Sequence, residues 1–355
     1  MIQLGSTTAA ELRPTYPNCS ISANIGSLEE TFGTIRIANQ TDADRLTGCQ
    51  MLWGNIRVTN CSPGVTSITL VDLQILFNGA LSVDNCESLR NFSAPALTSI
   101  TNISPYSDTS VLVFDGLPRL TEIQLPYLSK LNTLHLLNTP VLSTVVTSLA
   151  SEIGSMLKIS GTGLSNLDFV YPGSKIPTGT YSLTSLNISG NPNLQEITVP
   201  NYSFDDVFIS DNGPSSHINL WNLNRARNLA ISAAASLNVS SLAEADFLSI
   251  TDSSMAKLDL SSLTTLGGLY IANNTLLRHL KVPVADIGYR YGGKSDVEIL
   301  DNPELYLVDF NTVEHIYGNM VIKNNPTMSY IGLNNLSSCK MVDVSGYFHK
   351  YVDSA

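Results

Sequence analysis

The segment Gly288-Tyr-Arg-Tyr-Gly-Gly293-Lys294-Ser295 has the spacing G-x-x-x-x-G-K-S of a loop that cradles phosphates with backbone N–H groups and a lysine. Leu305 to Asp309 (LYLVD) mimics the acidic strand that would hold Mg²⁺ beside it. That chemistry needs a strand before the loop and a helix after it, so that a helix N-terminus faces the phosphates. After Ser295 the chain reads DVEIL, a strand pattern that leaves no room for a helix. The segment therefore reads as a Gly-rich inserted loop, and no cofactor is expected.

Carboxylates could cleave a glycoside if two or three converged within a few ångströms. Asp205 and Asp206 are adjacent, which on a strand sends them to opposite faces. Asp115, Asp211, Asp252 and Asp301 recur at a position better explained by turn geometry. His135, His217, His279, His315 and His349 are scattered, with no metalloprotease or nucleophile-elbow context. Trp53 and Trp221 could stack on sugars, but single tryptophans read first as packing. No catalytic constellation emerges, so the chain reads as a non-enzyme without catalytic, cofactor-binding or metal-ligating residues.

The cysteines carry a different chemistry. Cys19, Cys49, Cys61 and Cys86 crowd towards the front and Cys339 stands alone near the end, with no CxxC spacing for zinc. The first four read as two disulfides in an oxidising compartment. Sequons support secretion, at Asn18, Asn39, Asn60, Asn91, Asn102, Asn187, Asn201, Asn238, Asn273 and Asn335. Asn187 and Asn238 are the favoured glycan acceptors, because each lies between apolar residues that should face inward.

Composition fits an extracellular surface that is polar without being ionic. Charged residues are 14% of the 355, while 43 Ser and 29 Thr make up about a fifth. A net charge of −11 leaves nothing to neutralise a run of phosphates, which argues against nucleic acid and anionic membranes. The longest uncharged stretch, Leu131 to Ser151, contains Asn132, His135, Asn138 and Pro140, so no transmembrane helix is expected. The opening residues lack a basic n-region and an apolar h-region, and read as a mature N-terminal tail over residues 1–18 rather than a signal peptide.

All these residues are carried by one repeat. An apolar-x-apolar-x-turn unit recurs along the chain, as in LNISGNPNL, VEILDNPEL and MVIKNNPTM. The second apolar residue of each unit gives fourteen markers: Ile37, Val58, Val83, Val113, Leu136, Ile159, Ile188, Ile209, Ile231, Ile250, Ile271, Ile299, Ile322 and Val344. Two residues later, thirteen of the fourteen positions hold Asn, Asp or Gly, where about three would fall by chance. These residue types accept a left-handed backbone and so mark a tight corner. A second short alternation follows each corner, where many leucine-rich repeats place a helix. The pattern predicts an all-β, right-handed parallel β-helix of about fourteen rungs over 19–351, a leucine-rich-repeat-like solenoid stacked at about 4.8 Å.

Thr41 is a plausible N-cap for a short helix covering the first rung. Tyr171 to Thr184, with two Pro and two Gly, is the candidate break between two lobes. Cys61 and Cys86 each stand three residues after a marker, so stacking should join them, and by elimination Cys19 pairs with Cys49. Cys339 should be a free thiol or a buried small hydrophobe. A polypeptide continuing past Ala355 is expected to supply a cap and a partner cysteine.

The order of Cys19, a helix-like run to Cys49, GNIRVTNC and then x-I-x-I-x-[ND]-N-P-x-L rungs resembles the receptor L-domain fold. It resembles more closely the fungal GPI-anchored cell-wall organisation proteins related to sporulation-specific and protoplast-secreted proteins, from about Cys19 to Phe348. The resemblance implies an extracellular, glycosylated, non-catalytic protein supporting cell-wall integrity at the wall or outer face of the plasma membrane. A GPI anchor is implied by resemblance alone, since the chain shows no stalk or hydrophobic tail. Cell-wall polysaccharide or a cell-surface protein would be the partner, at residues the family does not define. Two other readings stand beside it. A receptor-like ligand-binding module would show an aromatic patch on one face, and a polysaccharide-cleaving β-helix would show converging carboxylates.

Overall fold

The computed structural model describes residues 33–101, 110–149, 153–170, 183–213, 215–288 and 295–345. Strands pair in parallel throughout, from Thr34–Ile37 on Asn55–Val58 to His315–Lys323 on Ser338–Val344. Among the described residues, fifteen strands form one long sheet. Asp286–Ile287 and Val297–Leu300 both pair with Thr265–Ala272 and with His315–Lys323, so they share one level and the sheet has fourteen levels. Shorter sheets close the other sides, among them Ser67–Thr69, Asn91–Ser93, Glu122–Leu125 and Thr144–Thr147. The chain is a parallel β-solenoid. Met156↔Ser185 through Ser160↔Ser189 pair directly, so the long sheet runs unbroken past residues 171–182, which lie outside the described residues together with the N-terminal tail.

The repeat works because twelve of the rungs turn at a residue with positive φ; at the first, the expected corner Asn39 is instead extended at φ −160° and caps the short helix. Asn60, Asn85, Asn138, Asp211, Ala233, Asp252, Asn273, Asp301 and Asn324, with Gly116, Gly161 and Gly190, all lie between +50° and +65°. L-residues other than Asn, Asp and Gly resist that region because Cβ crowds the following carbonyl. Ala233 is the exception among these corners. The next residue then points inward, and a turn follows. Leu89, Leu142, Leu194, Leu305 and Met328 donate their N–H to the carbonyl three residues back, at 3.0–3.2 Å. Pro192, Pro303 and Pro326 occupy the second position of such turns, where a fixed φ suits them. Leu89, Leu120, Leu142, Leu194, Leu277, Leu305 and Met328 stand six residues after the inward markers and are all buried. One rung could bury none of them alone; each contributes roughly 1.5–3 kcal/mol gross once covered by neighbours.

One marker needs correcting. Val113 faces outward and is half-buried, while Phe114 is buried and stands beside Val83 and Leu136. Both parities of VLVFD are apolar, and vertical packing chooses between them. The corner there is Gly116 rather than Asp115. The short helix spans Gln40–Asp44, and its N-cap is Asn39, whose side chain accepts from the Asp42 N–H at 3.0 Å, not Thr41. Among the described residues no helix is long and apolar enough to cross a membrane.

The inward position after each corner forms a column along the solenoid. It holds Cys61 and Cys86, then Leu117, Thr139, Thr162, Asn191, Asn212, Ala234, Ser253, Asn274, Asn302 and Asn325. The buried asparagine ladder therefore stands one residue beyond the corner, and the corner residues Asn60 and Asn273 are exposed. Each buried amide bridges levels. Asn302 Nδ2 donates to Ile271 O at 3.1 Å and to Asn325 Oδ1 at 3.1 Å, while its Oδ1 accepts from Asn274 N at 3.0 Å and Asn274 Nδ2 at 3.0 Å. Asn191 and Asn212 repeat the link at 2.9 Å.

Removing one amide strands several buried partners, and unsatisfied groups there cost more than the bond itself contributes. Asn302→Ala is expected to destabilise its part of the stack by roughly 3 kcal/mol. Ala233→Asn is expected to stabilise, by about 0.5–1 kcal/mol, by relieving a left-handed alanine. Hydrogen-exchange protection around each level reads both changes with opposite signs.

Candidate functional site

The disulfide lies at the front of this inward column. Cys61 and Cys86 are bonded, with Cα atoms 4.8 Å apart, the separation of stacked strands. Cys49 is disulfide-bonded as well, and Cys19 falls outside the described residues. Cys339 is a half-buried free thiol whose Sγ lies 3.0 Å from Met341 O. It sits in the last described strand, where Met341 and Val342 are exposed.

Beside the disulfide the outer face holds a charged cluster. Arg57 Nε and one terminal nitrogen donate to the two Asp84 oxygens at 2.8 and 3.1 Å. Thr59 Oγ1 at 2.6 Å and Asn85 Nδ2 at 2.9 Å add to the same carboxylate. Burial pushes the Asp84 carboxyl up, and the hydrogen bonds from Arg57, Thr59 and Asn85 outweigh it, holding the group below the usual carboxylate range. The partners lie on successive levels, so the cluster bolts together the two levels that the disulfide joins.

Two of the four acids expected at corners, Asp115 and Asp252, are tied across levels in the same way, while Asp211 and Asp301, like Asp252, make the corners themselves. Asn138 Nδ2 reaches Asp115 at 2.9 Å and Asn273 Nδ2 reaches Asp252 at 3.1 Å, each across one level. Asp205 and Asp206 do not take opposite faces. Phe204 and Val207 are both buried, so the chain bends between them and both carboxylates stay outside. Asp205 meets Arg227 at 3.5 Å and Asp206 accepts from Asn228 Nδ2 at 2.7 Å. His217 meets Ser236 Oγ at 2.7 Å, His279 packs edge-on against Tyr306 and His315 pairs with Asp286 at 2.9 Å. Burial lowers the His135 pKa, reinforced by Lys158 and opposed by Asp115. Among the described residues no three His, Cys, Asp or Glu side chains gather as a metal site.

Lys294 and His349 lie outside the described residues. The chain enters strand Val297–Leu300 straight after the glycine-rich segment, and a Cβ at Gly288 would fall 2.6 Å from Ser295 Cβ, so the segment's two ends meet. Asp309, in the supposed metal strand, instead accepts the Asn311 N–H at 3.0 Å. Trp53 stacks on Phe77 with centroids 5.0 Å apart, and Trp221 is half-buried. A shallow depression of about 380 Å³ lies along the corners, lined by Gly116, Pro118, Asn138, Pro140 and Gly161 and by no ionisable side chain.

The sequons divide by position. Asn60, Asn91, Asn238, Asn273 and Asn335 are exposed, and Asn39 and Asn187 are half-buried. Asn201 is a correction. It is only 2% exposed, so its amide has no room for a glycan in the folded chain. Asn18 and Asn102 lie outside the described residues. Sequence reasoning missed the outward face of the long sheet. There Ser160, Ser189 and Ser210 stand in register, and Ser232 and Thr251 continue the column, without a charge among them. A column of small hydroxyls gives no periodic signal of its own, because the alternation that reveals strands reports inward residues.

The fold is thus a disulfide-bonded parallel β-solenoid with one long sheet. Over 270 residues, 75% of this chain and 62% of the relative, it is 26% identical to "Protein ecm33" of Aspergillus fumigatus. Over 220 residues, 61% of this chain and 49% of the relative, it is 26% identical to "Cell surface GPI-anchored protein ECM33" of Candida albicans. The chain thus spans about half to three-fifths of the length of these curated relatives. No family model matches it, and no solved structure matches it.

A depressed carboxylate adds stability above its unfolded pKa, and that contribution is lost as pH falls through the folded value. Asp84 should therefore make the front levels sensitive to acid below about pH 4. Urea unfolding across that range is expected to show a falling midpoint in the native protein. In Asp84→Asn the slope should be shallower, with the loss already present at neutral pH.

Proposed function

We propose that this chain is the solenoid of an extracellular, glycosylated, non-catalytic cell-surface protein that supports fungal cell-wall organisation. The observation that carries the reading is the 26% identity to the two ECM33 proteins, one of them a GPI-anchored cell-surface protein, along up to three quarters of the chain. The disulfide between Cys61 and Cys86 fits an oxidising compartment, and exposed sequons fit passage through a secretory route. Asp115, Asp206 and Asp252 are engaged in links between levels, which supports a non-catalytic role for them.

On this reading the molecule acts by shape. A stack of fourteen levels at about 4.8 Å makes a stiff spacer of roughly 60 Å whose surface is hydroxyl-rich and carries glycans. Attachment by a GPI anchor and kinship with receptor L-domains belong to the same proposal. Protease shaving and biotin labelling of intact source cells should recover the protein as a surface glycoprotein. Deleting its gene should sensitise growth to wall-perturbing dyes. An unglycosylated intracellular protein, or a deletion strain with unaltered wall tolerance, would contradict the reading.

A further inference from the structure

The outward face of the long sheet carries the aromatics Phe208, Phe247 and Tyr270, and Phe208 is the most exposed of the three. Phe208 is 43% exposed. Its register partner on the preceding level is Asn187, and on the following level Ala230. Asn187 opens the sequon Asn187-Ile188-Ser189. Its neighbours Leu186 and Ile188 are buried, so its side chain points out onto the same face as the ring.

The amide is already oriented. Ser189 Oγ donates to Asn187 Oδ1 at 3.2 Å and is tied to Ser160 Oγ at 3.0 Å. With the oxygen held, Nδ2 is the end left to receive a sugar, and among the described residues it donates to nothing. Register partners in a parallel sheet stand about 4.8 Å apart. That distance brings the first sugar on Asn187 over the Phe208 ring, while Ala230 leaves the far side of the ring open. The hydrophobic face of an N-acetylglucosamine, with its acetyl methyl, matches an exposed aromatic surface. Among the other described sequons, Asn91 has Ser67 and Glu122 as register partners, and Asn238 has Asn219. Asn238 also spends its Nδ2 on Asn219 Oδ1 at 2.9 Å.

We propose that Asn187 carries an N-linked glycan whose first N-acetylglucosamine stacks on Phe208, making the sugar a structural part of the middle levels. The inference rests on the extracellular reading above. The glycan covers the exposed ring, clamps the level of Ile188 to that of Ile209, and shields a flat sheet face that could otherwise meet another sheet.

The test is a double-mutant cycle on the secreted protein, using Asn187→Gln and Phe208→Ala, with Ser189→Ala as a second way to remove the glycan. Glycopeptide mass spectrometry reads occupancy. Hydrogen exchange reads protection in Ser185–Ser189 and Ser203–Ser210. In the glycosylated protein Phe208→Ala should lower protection there about fivefold, the ratio a stacking contact of ordinary strength corresponds to. In either glycan-free background the same substitution should change it little. Trimming the native glycan to its first N-acetylglucosamine should leave the coupling intact. An occupied Asn187 without coupling to Phe208 overturns the proposal. So does an empty Asn187 beside other occupied sequons, a result that leaves the extracellular reading standing. Absence of any glycan, in a protein found inside the cell, overturns both.

Discussion

The structure depends on a corner. From Val58 to Ile322, after each inward apolar marker one residue adopts a φ of +50° to +65°, and the following side chain then turns into the interior. That next position faces its counterparts on the levels before and after it, in a column closed to water. Its occupants are apolar, bond covalently, or turn polar groups towards the neighbouring levels, as the asparagines do, while the buried Thr139 hydroxyl finds no partner. The chain uses each option in turn: a disulfide at Cys61–Cys86, Leu117, and amide links at Asn191–Asn212 and Asn274–Asn302–Asn325. Vertical register, and hence the flat outer faces, follows from that column.

The same constraint assigns the acids. Asp115 and Asp252 are bound to asparagines on the next level. Asp84 ties together the levels joined by the disulfide. These charged groups serve the stack, and the serine column with Phe208 stands on its outward face.

Much of the fold was legible because it is written many times over. Repetition of the corner types, and the matching offsets of Cys61 and Cys86, reveal a stack without any knowledge of its cross-section. Parity was legible only where one parity is polar. In VLVFD both are apolar, and Phe114 rather than Val113 faces in because its neighbours Val83 and Leu136 do. In pairs such as Asp301-Asn302 and Asn324-Asn325 either residue could make the corner. Backbone conformation decides that the first turns and the second is buried. The pairing of Asn187 with Phe208 joins residues 21 positions apart, which no local pattern announces.

Register in the inward column can be measured directly by imitating its one natural crosslink. Thr139 and Thr162 are register partners on adjacent levels and both are buried, while Asn191 stands one level further on. With Thr139→Cys and Thr162→Cys together, air oxidation of the folded protein should form a disulfide in full yield, as Cys61 and Cys86 do. Thr139→Cys with Asn191→Cys, two levels apart, should leave both thiols free. A folded protein that crosslinks the second pair and not the first would contradict the stacking on which the whole account stands.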